Sequence, residues 1–221
     1  MDAGPVEGRR LTARRRESHA DKRARRAEVE DPAVVLEAGL RFLEARARSV
    51  GEVRRRLTSA GYREDLVTAA IDRLSELGML DDEAFAAQWV ESRDRAHPRG
   101  EHALMIELRQ KGVEATLIAK ILRERREAAT RWDGGATGDA PPDTELGPTP
   151  DEVAARKLLA RHARALARIV DPRQRRQRAY ALLARHGFSP EIAASLARAN
   201  LDAVDRTGGD DAERSGDDGE G

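Results

Sequence analysis

The sequence contains no cysteine, few aromatic residues and no long apolar run. Without cysteine the chain can form neither a disulfide bond nor a zinc site with thiolate ligands, which favours a reducing, cytoplasmic location. No segment approaches the ~20 consecutive apolar residues that a helix needs to cross a bilayer. Aromatic residues make up 3% of the chain, too few to fill a large globular core. These absences argue against a disulfide-stapled secreted protein and against a membrane-spanning one.

Ala, Leu, Arg and Glu dominate the composition, and charged residues form 36% of the chain. This composition favours long helices over sheets, because these residues have high helix propensity. The formal net charge is zero, but the charge is unevenly distributed along the chain. Residues 151–201 contain eleven Arg or Lys and four acidic residues, whereas residues 202–221 contain eight acidic residues and two Arg. A basic segment of this kind suits phosphates or an acidic protein as a partner.

Glycine occurs at three equivalent points of an internal repeat, Gly61, Gly112 and Gly187. A leucine stands four residues before each glycine, and apolar residues stand five, nine and ten residues after it. Glycine at a helix end can adopt the left-handed conformation that reverses the chain, and the apolar residues then close the two flanking helices on each other. The pattern predicts three tandem modules of three helices, each of about 50 residues. Modules this small are expected to pack on their neighbours.

Breaks in the helical pattern divide the chain into six segments. The first and last are rich in charge and poor in apolar residues, which is typical of disorder, and Gly, Pro, Asp and Thr dominate one internal segment. The predicted segments are a disordered basic arm (1–31), repeat 1 (32–80), repeat 2 (81–130), a flexible linker (131–150), repeat 3 (151–201) and a disordered acidic tail (202–221).

Helix-start signals support this division. Asp31 precedes a proline, a combination that caps a helix and occupies its first turn. Ser49 and Glu52 have the spacing of a capping box. Asp81 and Asp82 are better explained by capping of the following helix, and by its positive dipole end, than by metal binding.

Three motifs between residues 48 and 113 resemble those of one protein family. Arg48-Ser-Val-Gly-Glu-Val-Arg-Arg-Arg-Leu57 resembles the R-S-x-x-E-L-x-x-x-L opening of the RecX regulatory proteins. Gly78-Met-Leu-Asp-Asp-Glu-Ala-Phe-Ala86 resembles the family's G-x-L-x-D-x-x-F-A segment, and Glu107-Leu-Arg-Gln-Lys-Gly-Val113 resembles its E-L-x-x-K-G-I segment. Their order and spacing agree over about residues 33–128, while residues 151–201 agree in helical pattern alone.

The resemblance implies an all-α protein whose three tandem three-helix repeats form an elongated, curved body. It also implies a regulatory protein that binds the RecA recombinase filament on single-stranded DNA and inhibits its recombinase and ATPase activities, in homologous recombination and DNA repair. Direct contact with the DNA is compatible with this role, and we expect a monomer. The residues alone predict only a helical, partly basic binding protein that is not an enzyme.

Basic residues outside the apolar stripes are the candidate contacts for a partner. A solvated helix face is an equally good interpretation of the cluster around Arg54, whereas the uncompensated charge of repeat 3 favours a partner. The candidates are Arg48, Arg54, Arg55, Arg99, Arg109, Lys111, Arg173, Arg175, Arg176 and Arg178.

No catalytic, cofactor-binding or metal-binding motif is recognisable. The five histidines lack partners at metal-ligand spacing, and there is no P-loop. Trp89 is expected to pack with Phe85 in the core, and a stacking platform for bases is the less favoured interpretation. We therefore expect no cofactor and no catalysis. The alternative function is a stand-alone helical module that binds DNA or RNA without RecA.

Overall fold

The computed structural model describes residues 17–132 and 147–199, and within this part of the chain it contains ten α-helices and no strand. The all-α prediction is therefore confirmed. The helices are α1 (His19–Ala27), α2 (Pro32–Leu43), α3 (Val50–Ala60), α4 (Glu64–Glu76), α5 (Asp82–Ala96), α6 (Glu101–Lys111), α7 (Ala115–Trp132), α8 (Pro150–Ala167), α9 (Pro172–Arg185) and α10 (190–199).

Nine of these helices form three consecutive sets of three: α2–α4 (repeat 1), α5–α7 (repeat 2) and α8–α10 (repeat 3). The second helix of each set ends at a glycine with positive φ: 106° at Gly61, 86° at Gly112 and 80° at Gly187. This is the left-handed conformation that the repeat predicts at these positions. The leucines four residues earlier are at most 2% exposed: Leu57, Leu108 and Leu183.

The described residues divide into two compact units. The first contains residues 17–46 and 53–79, and its core includes four side chains with no exposed surface: Val35, Val53, Val67 and Leu74. The second contains the start of α3 (residues 47–52) together with repeats 2 and 3. Each of these two repeats has its own apolar cluster, centred on Leu104 and Leu108 in repeat 2 and on Leu159 and Leu183 in repeat 3.

In the second unit, the start of α3 packs on the turn that ends α6. The Ser49 hydroxyl donates to the carbonyl oxygen of Lys111 at 2.6 Å. A β-carbon on Gly51 would lie 2.7 Å from that same oxygen, closer than any real contact. The Val50 N–H donates to Asp82 Oδ1 at 2.9 Å. Since the first amides of a helix have no partner within the helix, Asp82 at the start of α5 supplies an acceptor that the start of α3 needs.

The start of α6 packs on the turn that ends α9 in the same way. The Gly100 N–H donates to the carbonyl oxygen of His186 at 3.0 Å. A β-carbon on Gly100 would overlap the backbone of Gly187. The Glu101 N–H donates to Asp151 Oδ2 at 2.9 Å. The carbonyl before the turn glycine and an aspartate at the start of the next repeat are therefore used at both contacts.

Helix α1 occupies the corresponding position in the first unit. The guanidinium of Arg26 donates to the carbonyl oxygen of Ala60, the residue before the turn glycine, at 3.4 Å. A β-carbon on Gly61 would lie 2.6 Å from the carbonyl oxygen of Arg23. Thus each of the three glycine turns receives a donor at the same carbonyl, and at the first turn that donor comes from α1.

The prediction of a disordered basic arm at residues 1–31 is wrong for its described part, because residues 19–27 form α1. The helix begins with a capping box: Ser18 Oγ accepts from the Asp21 N–H, and the Asp21 carboxylate accepts from the Ser18 N–H, both at 3.1 Å. These hydrogen bonds hold the Asp21 pKa below its usual value. No residue of α1 is buried, so no apolar stripe revealed it. Residues 1–16, most of the linker and the whole acidic tail lie outside the described residues.

Replacing Gly100 with alanine should lower the free energy of unfolding by about 3 kcal/mol, the upper part of the range for overpacking, because the new β-carbon meets backbone atoms that cannot change rotamer. Gly78→Ala is the control. Gly78 has a φ of 68° but nothing within 4 Å of a β-carbon, so alanine should cost only about 1 kcal/mol there. Chemical denaturation measures both values, and equal losses would contradict the close-contact interpretation.

Candidate protein and nucleic-acid interface

Residues of two sequence motifs meet where the start of α3 packs on repeat 2. Ser49 and Glu52 form the predicted capping box: the Ser49 N–H donates to Glu52 Oε2 at 3.3 Å, and the Glu52 N–H donates to Ser49 Oγ at 3.1 Å. Glu52 also pairs with Lys111, whose Nζ lies 3.2 Å from Glu52 Oε1. Both side chains of this pair are only about 15% exposed (16% and 15%). Lys111, a candidate partner contact, therefore forms a mostly buried ion pair that holds the start of α3 on repeat 2.

Asp82 belongs to the same contact. Burial raises the pKa of its carboxyl group, and the negative charges of Asp81 and Glu52 act in the same direction, while the hydrogen bond from the Val50 N–H lowers it in part. Asp81 caps α5 as expected, accepting from the amides of Glu83 and Ala84. Asp82 accordingly does more than face the helix dipole, because it accepts from the start of α3.

Trp89 packs within repeat 2 as predicted. Its ring stacks on Phe85 with a centroid separation of 6.1 Å and an interplanar angle of 23°. Lys111 Nζ lies 4.0 Å and Arg93 Cζ 4.2 Å from the indole centroid, both within cation–π distance. The indole N–H donates to Glu107 Oε2 at 2.8 Å. Core packing with Phe85 is confirmed, and the indole is engaged within the chain.

Glu107, which accepts from Trp89, also pairs with two arginines. Arg93 Nε donates to Glu107 Oε2 at 2.7 Å. Arg99 Nε lies 3.3 Å from Glu107 Oε1, an ion pair without the alignment of a hydrogen bond. Arg99, another candidate contact, is therefore already paired inside the chain.

A buried arginine joins repeats 2 and 3. Arg125 lies between two carboxylates, at 2.8 Å from Asp94 and 2.6 Å from Asp151, and its side chain is 7% exposed. Burial alone would lower the pKa of Arg125, but its hydrogen bonds to Asp94 and Asp151 outweigh burial and raise it. Since Asp151 also accepts from the Glu101 N–H, the ion pair and the α6 contact share one residue.

Two further candidates are used internally. Arg54 pairs with Glu64 and donates to Thr68 Oγ1 at 3.0 Å. Arg175, predicted on a partner-facing surface, is 7% exposed, and its Nε donates to the carbonyl oxygen of Ile169 at 3.0 Å. The prediction for Arg175 is therefore wrong: this side chain holds the loop that precedes α9.

The remaining candidates lie at or near the surface. Arg48 is half-buried, whereas the other five are exposed: Arg55, Arg109, Arg173, Arg176 and Arg178. Their role as partner contacts stays a prediction.

A basic groove of about 560 Å³ runs between α9 and α10. It is lined by Arg173, Arg176, Gln177, Tyr180 and Arg198, together with two alanines of α10, and none of these described lining residues is acidic. Tyr180 is 38% exposed, so its ring is accessible from the groove. We call this feature the α9–α10 groove. Uncompensated guanidinium groups beside an accessible ring suit a phosphate backbone with unstacked bases.

Sequence reasoning missed three residues of this groove. Gln177 and Tyr180 lie on the same stripe of α9 as Arg173 and Arg176, at spacings of three or four residues, so helical periodicity contained that signal. Arg198 belongs to the next helix, and only the turn at Gly187 brings it alongside.

Within the described residues, no group of histidine, aspartate and glutamate side chains is arranged to hold a metal ion. The helices of that same part of the chain include none long and apolar enough to span a membrane.

Comparison with known proteins identifies the family. The family models for RecX match all three repeats: the first three-helix domain at residues 36–74, the second at 81–122 and the third at 151–195. The Regulatory protein RecX of Mycobacterium avium (strain 104) is 36% identical over 165 residues, 74% of this chain and 83% of the relative. The chain belongs to the RecX family.

Other RecX proteins match over shorter segments or in fold. The Regulatory protein RecX of Mycolicibacterium smegmatis is 45% identical over 92 residues, 42% of this chain, so the match spans about half (49%) of that relative. The crystal structure of RecX from Lactobacillus salivarius superposes with a TM-score of 0.56 at 19% identity, covering 78% of this chain and 97% of that one. A second crystal structure, of regulatory protein RecX, gives 0.57 at 20% identity, covering 73% and 70%. These structures support the RecX fold alone.

Arg125→Met should lower the free energy of unfolding by about 3–5 kcal/mol, because it leaves two carboxylates facing each other without their cation. The neighbouring Arg126→Met is the control. Arg126 pairs with Glu101 on the surface, where its side chain is 53% exposed, and its loss should cost about 0–1 kcal/mol. Thermal or chemical unfolding measures both free energies. Similar losses for the two variants would show that the buried ion pairs of Arg125 contribute no more stability than a surface pair.

Proposed function

We propose that this RecX-family chain is a regulatory protein that binds the RecA recombinase filament on single-stranded DNA and inhibits its recombinase and ATPase activities. The observation that carries the proposal is the match of all three RecX domains, in order, along one chain. The relatives are named as regulatory proteins, which supports a regulator and not an enzyme.

The α9–α10 groove is the surface best suited to the DNA strand of such a filament. Arg173 and Arg176 are exposed and have no carboxylate partner among the described residues, so they can bind phosphates without first breaking an ion pair. Tyr180 adds a ring on which a base can stack. Arg178 and Arg109, exposed outside the groove, are candidates for pairing with acidic residues of RecA.

The alternative is a stand-alone helical nucleic-acid-binding module. The excess of basic over acidic residues in 151–201, and the groove itself, favour this second function as well. Such a module would bind single-stranded DNA without RecA, and added salt would weaken it steeply. Co-sedimentation with RecA filaments, compared with binding to bare DNA at moderate salt, distinguishes the two.

The purified chain should lower the single-stranded-DNA-dependent ATP hydrolysis of RecA. Arg173→Glu with Arg176→Glu should raise the concentration needed for half-inhibition by about tenfold, because two phosphate contacts become repulsive. The matched control is Arg156→Glu with Arg164→Glu, an equal charge change at exposed positions of α8 outside the groove.

No inhibition by the unmodified chain at several-fold excess over RecA would refute the regulatory role. If both double variants weakened inhibition equally, the effect would come from overall charge, and the α9–α10 groove would have no specific role.

A further inference from the structure

A second basic pocket lies in the first unit, between α1, α2 and α3. Its volume is about 550 Å³, within the usual range for small-ligand sites. Its lining includes three arginines and one histidine but no aspartate or glutamate: His19, Arg26, Arg41 and Arg56. We call it the α1 pocket, because His19 and Arg26 come from that helix. The family models begin at residue 36, so this wall lies outside the matched segments.

Little negative charge offsets these arginines. Arg26 donates to a neutral acceptor, the carbonyl oxygen of Ala60. Arg56 has no ion pair among the described residues. Arg41 pairs with Glu37 at 2.5 Å, but these side chains are 65% and 61% exposed, and such pairs are weak. An incoming anion would therefore gain from three guanidinium groups and displace at most one surface ion pair.

The pocket also presents two aromatic rings, each already associated with an arginine. The guanidinium carbon of Arg56 lies 5.6 Å from the ring centroid of Phe42. That of Arg26 lies 5.7 Å from the ring centroid of Tyr62. Both rings are half-buried, so part of each remains accessible. Rings and guanidinium planes are the surfaces on which unstacked bases pack, whereas an acidic peptide or a free inorganic anion would use only the charge.

We propose that the α1 pocket binds a nucleotide unit, a phosphate carrying a planar base. The phosphate is held by Arg26, Arg41 and Arg56, and the base packs against Phe42 and Tyr62. The same chemistry is presented by a free nucleotide and by one residue of a single strand. The proposal requires neither RecA nor the α9–α10 groove. Every residue that carries it lies in the first unit, whereas that groove lies in the second.

The test uses the full chain with Arg173→Ala and Arg176→Ala, which remove two of the arginines that line the α9–α10 groove and so weaken binding there. Thymidine monophosphate and a short single-stranded oligothymidylate are titrated separately while amide resonances are recorded by NMR. We expect shifts at the amides of Gly61 and Tyr62. Adding Arg41→Ala with Arg56→Ala should weaken binding by about tenfold and make its salt dependence less steep.

The matched control adds Arg63→Ala with Arg73→Ala, which removes the same charge from exposed sites of the first unit outside the pocket. It should bind as the background does. Binding of both probes, or of the strand alone, supports the proposal and tells which form is recognised. Inorganic phosphate is the third probe, and binding as tight as that of the nucleotide would overturn the role of the rings. Unshifted Gly61 and Tyr62 amides with both nucleotide probes would overturn the proposal. So would unchanged affinity in the Arg41 and Arg56 variant with a native amide spectrum.

Discussion

The contact on which this fold depends is a hydrogen bond to the carbonyl group that precedes each turn glycine. Lys111 and His186 accept from the starts of α3 and α6, and Ala60 accepts from α1. The contact needs backbone-to-backbone approach, which is why glycine stands at the turn and, in two cases, on the segment that meets it. At the start of α6 the donor is the Gly100 N–H, which has no partner within its own helix and is satisfied by repeat 3. Within the second unit, repeats 2 and 3 gain stability from each other in this way.

These contacts explain why some basic residues are unavailable to a partner. Lys111, Arg99 and Arg125 are paired with carboxylates within the second unit. Removing them should destabilise the fold, so a loss of function in such variants would not identify an interface. The exposed Arg173 and Arg176 of α9 and Arg56 of the α1 pocket are different, because they have no carboxylate partner among the described residues. They form the surfaces on which partner recognition can be tested without disturbing the core.

The helical class, the glycine turns and the capping residues Ser49 and Asp81 could be predicted because each depends on neighbours within a few positions. Helix α1 could not be predicted from apolar periodicity, since it buries no side chain and is held by a capping box and by Arg26. The burial of Arg175 was recoverable: it lies four residues before Ala179 on one stripe of α9, but its charge suggested an outward position. Arg125 depends on carboxylates 31 and 26 residues away, which no local pattern reveals.

The amide hydrogen exchange of Gly100 tests the central contact most directly. An amide just before a helix has no partner within that helix, so its protection must come from the His186 carbonyl. We expect Gly100 to exchange as slowly as Leu104, a residue inside the hydrogen-bonded part of α6 whose side chain has no exposed surface. Exchange of Gly100 at the rate of an exposed loop amide, with Leu104 still protected, would contradict it.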